Sequence, residues 1–141
     1  MLDLTRCDGA QLDAVRRVAM EIVSLTPDLD AQNIMLVGAV CRDVLQSALG
    51  HDYGLRATHD LDVALALSGW THYEELTGHL TAIKGNANGI RYSVAGLPVD
   101  LMPFGPVEHP TGTVTPQPRN EEMSVWAFRE VFERSLNLPP G

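Results

Sequence analysis

Apolar residues recur along residues 9–25 with the period of a helix. Leu12, Val15, Ala19 and Ile22 form one stripe that Val18 and Leu25 widen. Asp8 stands where an N-cap is needed, and Thr26-Pro27 ends the helix because a residue before proline avoids the α region. Asp28 to Asn33 reads as a loop. Ile34-Met35-Leu36-Val37 is a short continuous apolar run ending at Gly38, the pattern of a strand buried on both faces. Val40 to Leu49 predicts a second helix, with Val40, Val44, Leu45 and Ala48 inward and Gly50 as its stop.

From Leu61 to Leu67 the period changes to two. Leu61, Val63, Leu65 and Leu67 alternate with Asp62, Ala64 and Ala66, and Asp60 precedes them in phase. Thr71 and Glu74 have the spacing of a capping box for a third helix reaching Leu80 and bearing Tyr73, Leu76 and Leu80. Ile90–Ala95 and Leu97–Phe104 read as two strands joined tightly at Gly96, a hairpin. Pro98 and Pro103 are expected to confine the second of these to a sheet edge or to place them at its ends. Residues 105–120, with four prolines and two glycines, are expected to be a surface loop. Met123–Val125 reads as a short strand, and Trp126–Ser135 as a last helix whose Trp126, Phe128 and Phe132 enter the core or a buried interface. This order predicts a mixed α/β (α+β) fold, one mixed β-sheet flanked by helices, in a single domain over residues 1–141.

Composition narrows the function. The 141 residues carry 18 acidic and 10 basic side chains, a net charge of −8. Lys84 is the one lysine and the nine arginines are scattered, so the chain does not hold a nucleic-acid backbone by bulk charge. The longest apolar runs are far shorter than the roughly 20 residues of a membrane-spanning helix. The first residues include Asp3, Arg6 and Asp8 and do not resemble a secretion signal. Cys7 and Cys41 make neither a disulfide framework nor a zinc motif. A cytoplasmic protein with no membrane partner is expected.

The chemistry-bearing residues fall at three places. Asp60 and Asp62, two apart on a strand, point to one face about 7 Å apart. Two carboxylates so placed repel unless a cation lies between them, which suits a hard metal such as Mg²⁺. Asp28-Leu29-Asp30 has the same spacing without apolar alternation, and reads as solvated surface. Asp100 is a third acid, flanked by Val99 and Leu101, and expensive to bury unless paired or metal-bound. At Val37-Gly38-Ala39 a strand turns into a helix, so free amides and the positive helix end converge there, as at phosphate-binding sites. Arg42 follows on that helix, either as added positive charge or as an ordering pair with Asp43. His51-Asp52 lacks the partners of a phosphohydrolase site, His59 points away from Asp60, His72, His79 and His109 read as solvated, and Trp70 as core.

Together, Gly38-Ala39-Val40-Cys41-Arg42-Asp43, Thr58-His59-Asp60-Leu61-Asp62 and Pro98-Val99-Asp100-Leu101-Met102-Pro103-Phe104-Gly105 resemble the motifs of the DNA polymerase β-like nucleotidyltransferases. Within that superfamily they are most similar to the AbiEii-type nucleotidyltransferase toxins. The resemblance covers about residues 33–138. It implies a catalytic head in which Asp60, Asp62 and Asp100 hold two Mg²⁺ ions and Asp100 accepts the proton of an acceptor hydroxyl. Gly38, Ala39 and Arg42 would bind the phosphates of a nucleoside triphosphate. The acceptor would be an RNA such as tRNA, or a protein, and a cognate antitoxin would neutralise the toxin. A helical region usually follows such a head and is expected to be missing from 1–141. Two departures stand out: Ala39 replaces the usual Ser or Gly, leaving amides but no hydroxyl for phosphate, and His51–His59 lengthens the interval to Asp60. These departures and the acidic surface support an alternative, a non-catalytic nucleotide-binding or protein-interaction module of the same fold.

Overall fold

The structure is a computed structural model that describes residues 3–50, 60–83, 90–116, 122–126 and 128–134. The His51–His59 interval, the Lys84–Gly89 stretch, which reads from sequence as a turn rich in Gly and Asn, and the chain after Arg134 lie outside the described residues. Helix α1 spans Gly9–Leu25, with the Asp8 side chain accepting from the Ala10 amide at 2.9 Å. Leu12, Val18 and Ile22 are its buried residues. The next elements are β1 (Ile34–Val37), α2 (Gly38–Ala48), β2 (Leu61–Ala66) and α3 (Trp70–Gly78). They are followed by β3 (Thr81–Ala82), β4 (Arg91–Val94), β5 (Leu97–Phe104), β6 (Thr113–Val114), β7 (Met123–Ser124) and α4 (Phe128–Glu133). The fold is therefore mixed α/β.

Five strands form the main sheet in the order β1-β2-β5-β4-β3. β2 and β5 run parallel, while β1–β2, β5–β4 and β4–β3 are antiparallel. The register places Leu36, Val63, Leu101 and, through Val99, Tyr92 on one face. Val63, Leu101, Val99 and Tyr92 are buried there with Leu61, Leu65 and Val94. The other face carries Asp62, Ala64, Asp100 and Phe104. At its far end Phe104 meets the rings of Phe128 and Phe132 from α4 edge-on. One face is thus wholly apolar, and the other is apolar at one end and acidic at the other.

Several sequence expectations change. β1 lies at the sheet edge, and of its four residues only Met35 is buried. β5 is central rather than an edge, and its two prolines lie one residue inside its two ends, close to the second of the placements expected. The Leu101 amide donates to Ile90 and the Phe104 carbonyl accepts from Leu67, so odd residues bond toward β4 and even ones toward β2. Pro98 therefore aims its missing N–H at the β2 side one step before that ladder starts at Leu61↔Val99. Pro103 aims its own at the β4 side, beyond the end of that strand. Among the described residues, neither proline is paired at a position where a neighbouring strand needs its N–H.

Helix α3 begins at Trp70 with Gly69 at its N-cap and no side-chain cap, so the Thr71–Glu74 capping box does not form. Asp30 instead makes a capping box with Asn33 on a short 3₁₀ turn, inside what reads from sequence as a loop. Segment 105–120 is not simply a surface loop, since Val107 and Val114 are buried and β6 pairs with β7. Trp126 precedes α4 and is 74% exposed, while Phe128 and Phe132 alone of the three pack inward. On α2, Leu45 is exposed and Asp43 is buried with Val40, Val44 and Ala48.

The Tyr73 hydroxyl of α3 donates to the Leu101 carbonyl at 3.2 Å, and burial pushes its pKa well up, so it stays a donor. Tyr73→Phe is expected to cost about 1 kcal/mol, read as a lower denaturant midpoint with an unchanged slope.

Candidate functional site

The acidic end of the sheet is a single transverse row. Val37 pairs with Asp62, Asp62 with Asp100 and Asp100 with Arg91, across β1, β2, β5 and β4. Parallel pairing of β2 with β5 brings two carboxylates side by side on one face, because period-two alternation keeps both out of the apolar core. The Asp62 pKa is pushed up to about 6, first by burial and then by the charge of Asp100 and a hydrogen bond shared with it; Arg91 pulls partly the other way. Two carboxyls this close ionise together only at a cost, which positive charge beside them lowers.

Arg91 partly answers that need. Its Nε donates to Asp100 Oδ1 at 2.8 Å and its Nη2 to Asp100 Oδ2 at 3.3 Å, a forked pair. Its Nη1 lies 3.1 Å from Asp60 Oδ2. Asp100, chiefly through its hydrogen bonds, holds the guanidinium above its ordinary pKa. Asp60 stands one residue before β2, with its side chain 44% exposed against 18% for Asp100.

Arg91 was not singled out by the motif reading, although the hairpin contains the signal. Ala95 and Gly96 both have positive φ, 52° and 79°, as a two-residue primed turn requires. Counting back from that turn places Arg91 opposite Asp100.

The glycine bend meets this row from the β1 side. Gly38, the first residue of α2, has φ +74°, and a Cβ there would overlap the Asp62 carboxylate. Glycine is thus required twice, for the backbone turn and for the close approach. Val37 at the N-cap offers no side-chain hydrogen bond, so the first amides of α2, at Gly38 and Ala39, lack a side-chain cap. Arg42 is half exposed, its Nε 3.9 Å from Asp43 Oδ1, a long contact that leaves the guanidinium facing solvent. Burial pushes the Cys41 thiol pKa up, which disfavours a nucleophilic role.

Four of the six sequence-derived positions meet at one end of the sheet, while Ala39 and Arg42 follow Gly38 along α2. Asp62 and Asp100 touch, Gly38 abuts Asp62, and Asp60 joins through Arg91. Among the described residues, the set whose ligand atoms converge within 4.8 Å is not the three aspartates but Asp28, His72 and Glu75. His72 and Glu75 lie one turn apart on α3, and the His72 Nδ1 is buried without a hydrogen-bond partner, contrary to its reading as solvated.

The donor set at the row is all carboxylate oxygen, which suits a hard divalent cation such as Mg²⁺ rather than a thiolate- or imidazole-seeking metal. Comparison with protein-family models, with characterised proteins and with solved structures finds no match. No helix among the described residues is long and apolar enough to cross a membrane.

Proposed function

We propose that this chain is the catalytic head of a Mg²⁺-dependent nucleotidyltransferase that moves a nucleotide from a nucleoside triphosphate to an acceptor hydroxyl. The supporting observation is the row Val37–Asp62–Asp100–Arg91 beside the α2 amides that no side chain caps. Asp60, Asp62 and Asp100 would hold the cation. When bound, it supplies charge for the phosphates and a lowered pKa for the acceptor hydroxyl. The Gly38 and Ala39 amides take phosphate oxygens at the positive end of α2, and exposed Arg42, one turn along, adds charge. Asp100, central in the row, takes the acceptor proton as the acceptor oxygen bonds to the α-phosphorus and pyrophosphate leaves. The motif resemblance favours an RNA such as tRNA or a protein as acceptor, in a toxin–antitoxin pair within the cytoplasm.

The test is transfer of label from an α-labelled nucleoside triphosphate to cellular RNA or protein by the purified chain. Label is expected to appear only with a divalent cation, and not with Asp60→Asn. Absence of both label and pyrophosphate with all four nucleotides overturns the catalytic reading. Retained nucleotide binding in that case would identify a non-catalytic module, the reading that Ala39 and the acidic surface favour.

A further inference from the structure

We propose that Arg91 is a two-position arm of this site: it clamps Asp60 and Asp100 while no metal is bound, and takes polyphosphate oxygens once a divalent cation claims those carboxylates. The inference rests on the nucleotidyltransferase reading and deepens it, because no part of the motif resemblance involves Arg91. Three nitrogens of one guanidinium are committed to two carboxylates, at 2.8 and 3.3 Å to Asp100 and 3.1 Å to Asp60. A cation ligated by the same oxygens competes directly with those N–H donors. Arg91 cannot resolve the competition by losing its proton, because a guanidinium stays charged in proteins. It must swing away or block the metal.

The clamp is able to open. The Arg91 side chain is 35% exposed and that of Asp60 is 44% exposed, so water can take over the released N–H groups and the ion pair is screened rather than locked. A released guanidinium remains tethered to β4 next to the row, at the end opposite α2. The span from Val37 to Arg91 covers three strand spacings, about 14 Å. With phosphates seated at the α2 amides and cations at Asp62 and Asp100, an extended polyphosphate crosses toward Arg91. Planar forked donors match its oxygens as they match a carboxylate. Metal binding and nucleotide binding are then coupled through one side chain, each favouring the arm position that the other needs.

The experiment measures Mn²⁺ binding by calorimetry and electron paramagnetic resonance on the full chain, and separately the affinity for a nonhydrolysable nucleoside triphosphate at saturating Mg²⁺. Wild type is compared with Arg91→Lys and Arg91→Gln, with thermal melts verifying folding. Arg91→Lys keeps the charge and loses the fork, so it separates the clamp from simple repulsion of the metal. Both variants are expected to bind Mn²⁺ about tenfold more tightly without nucleotide, and Arg91→Gln to bind the nucleotide about tenfold more weakly. Mn²⁺ affinity unchanged in Arg91→Lys overturns the clamp. Nucleotide affinity unchanged in Arg91→Gln overturns the phosphate role. If wild type and variants alike bind neither Mn²⁺ nor nucleotide, the nucleotidyltransferase reading itself falls, and this role with it.

Discussion

Gly38→Ala is expected to lower the melting temperature by roughly 10 °C and to abolish divalent-cation binding in the protein that remains folded. Two costs add. An alanine at φ +74° is in left-handed backbone, worth about 1–2 kcal/mol. Its methyl carbon would also overlap the Asp62 carboxylate, and overpacking of this kind costs about 1–3 kcal/mol. For a chain of this size about 3 kcal/mol corresponds to that change in melting temperature. The carboxylate is the softer of the two partners, so it is displaced from its place beside Asp100. Adding Asp62→Ala separates the costs: the double variant should recover the steric part, leaving a loss near the backbone term alone. A double variant whose loss equals the sum of the two single losses would show that Gly38 and Asp62 do not touch.

The elements most legible in the sequence are those whose determinants are local. The α1 stripe with its Asp8 cap, the period-two run of β2 and the β4–β5 turn each contain their signal within a dozen residues, and all three form. What sequence patterning missed depends on neighbours distant in the chain. The prolines of β5 allow either an edge or the ends of a strand, and only the pairing of β5 with both β2 and β4 decides for the second. Trp126 has helical spacing to Phe128-Phe132 but lies outside α4, and only the latter two reach Phe104. The capping-box spacing at Thr71 loses to a helix start at Trp70, whose ring stacks edge-on against Tyr73.

The candidate site divides similarly. Asp62, Asp100 and Gly38 are visible as motif residues, and the row they share is a matter of strand pairing. Arg91 belongs to no motif and enters only through the hairpin register. The His72–Glu75 pair on α3 shows in sequence as a one-turn spacing, whereas Asp28 joins it only through tertiary packing.

Asp62→Asn should make the protein more stable at neutral pH while removing the proposed nucleotidyl transfer. In the folded chain the Asp62 pKa is about 6, against 3.8 for the free side chain. The folded state therefore holds this proton more tightly than the unfolded state does. Between about pH 4 and pH 6 stability falls as the pH rises, and above about pH 6 the full penalty of a charged Asp62 beside Asp100 is present. Asparagine carries no such penalty. Because Asp62 is only partly buried, solvent screening reduces the expected gain to about 1 kcal/mol at pH 7.5. The melting curves of variant and wild type should converge near pH 4. Mg²⁺ should raise the wild-type melting temperature at pH 7.5, since a ligand that binds only the folded state stabilises it. The same addition should leave Asp62→Asn unchanged. Nucleotidyl transfer should fall about 10³-fold, the scale of losing several kcal/mol of metal-derived transition-state stabilisation. Stability and activity moving in opposite directions on one isosteric change would mark a position kept for chemistry at the expense of folding. An Asp62→Asn protein less stable than wild type at pH 7.5 would show instead that the carboxylate serves the fold.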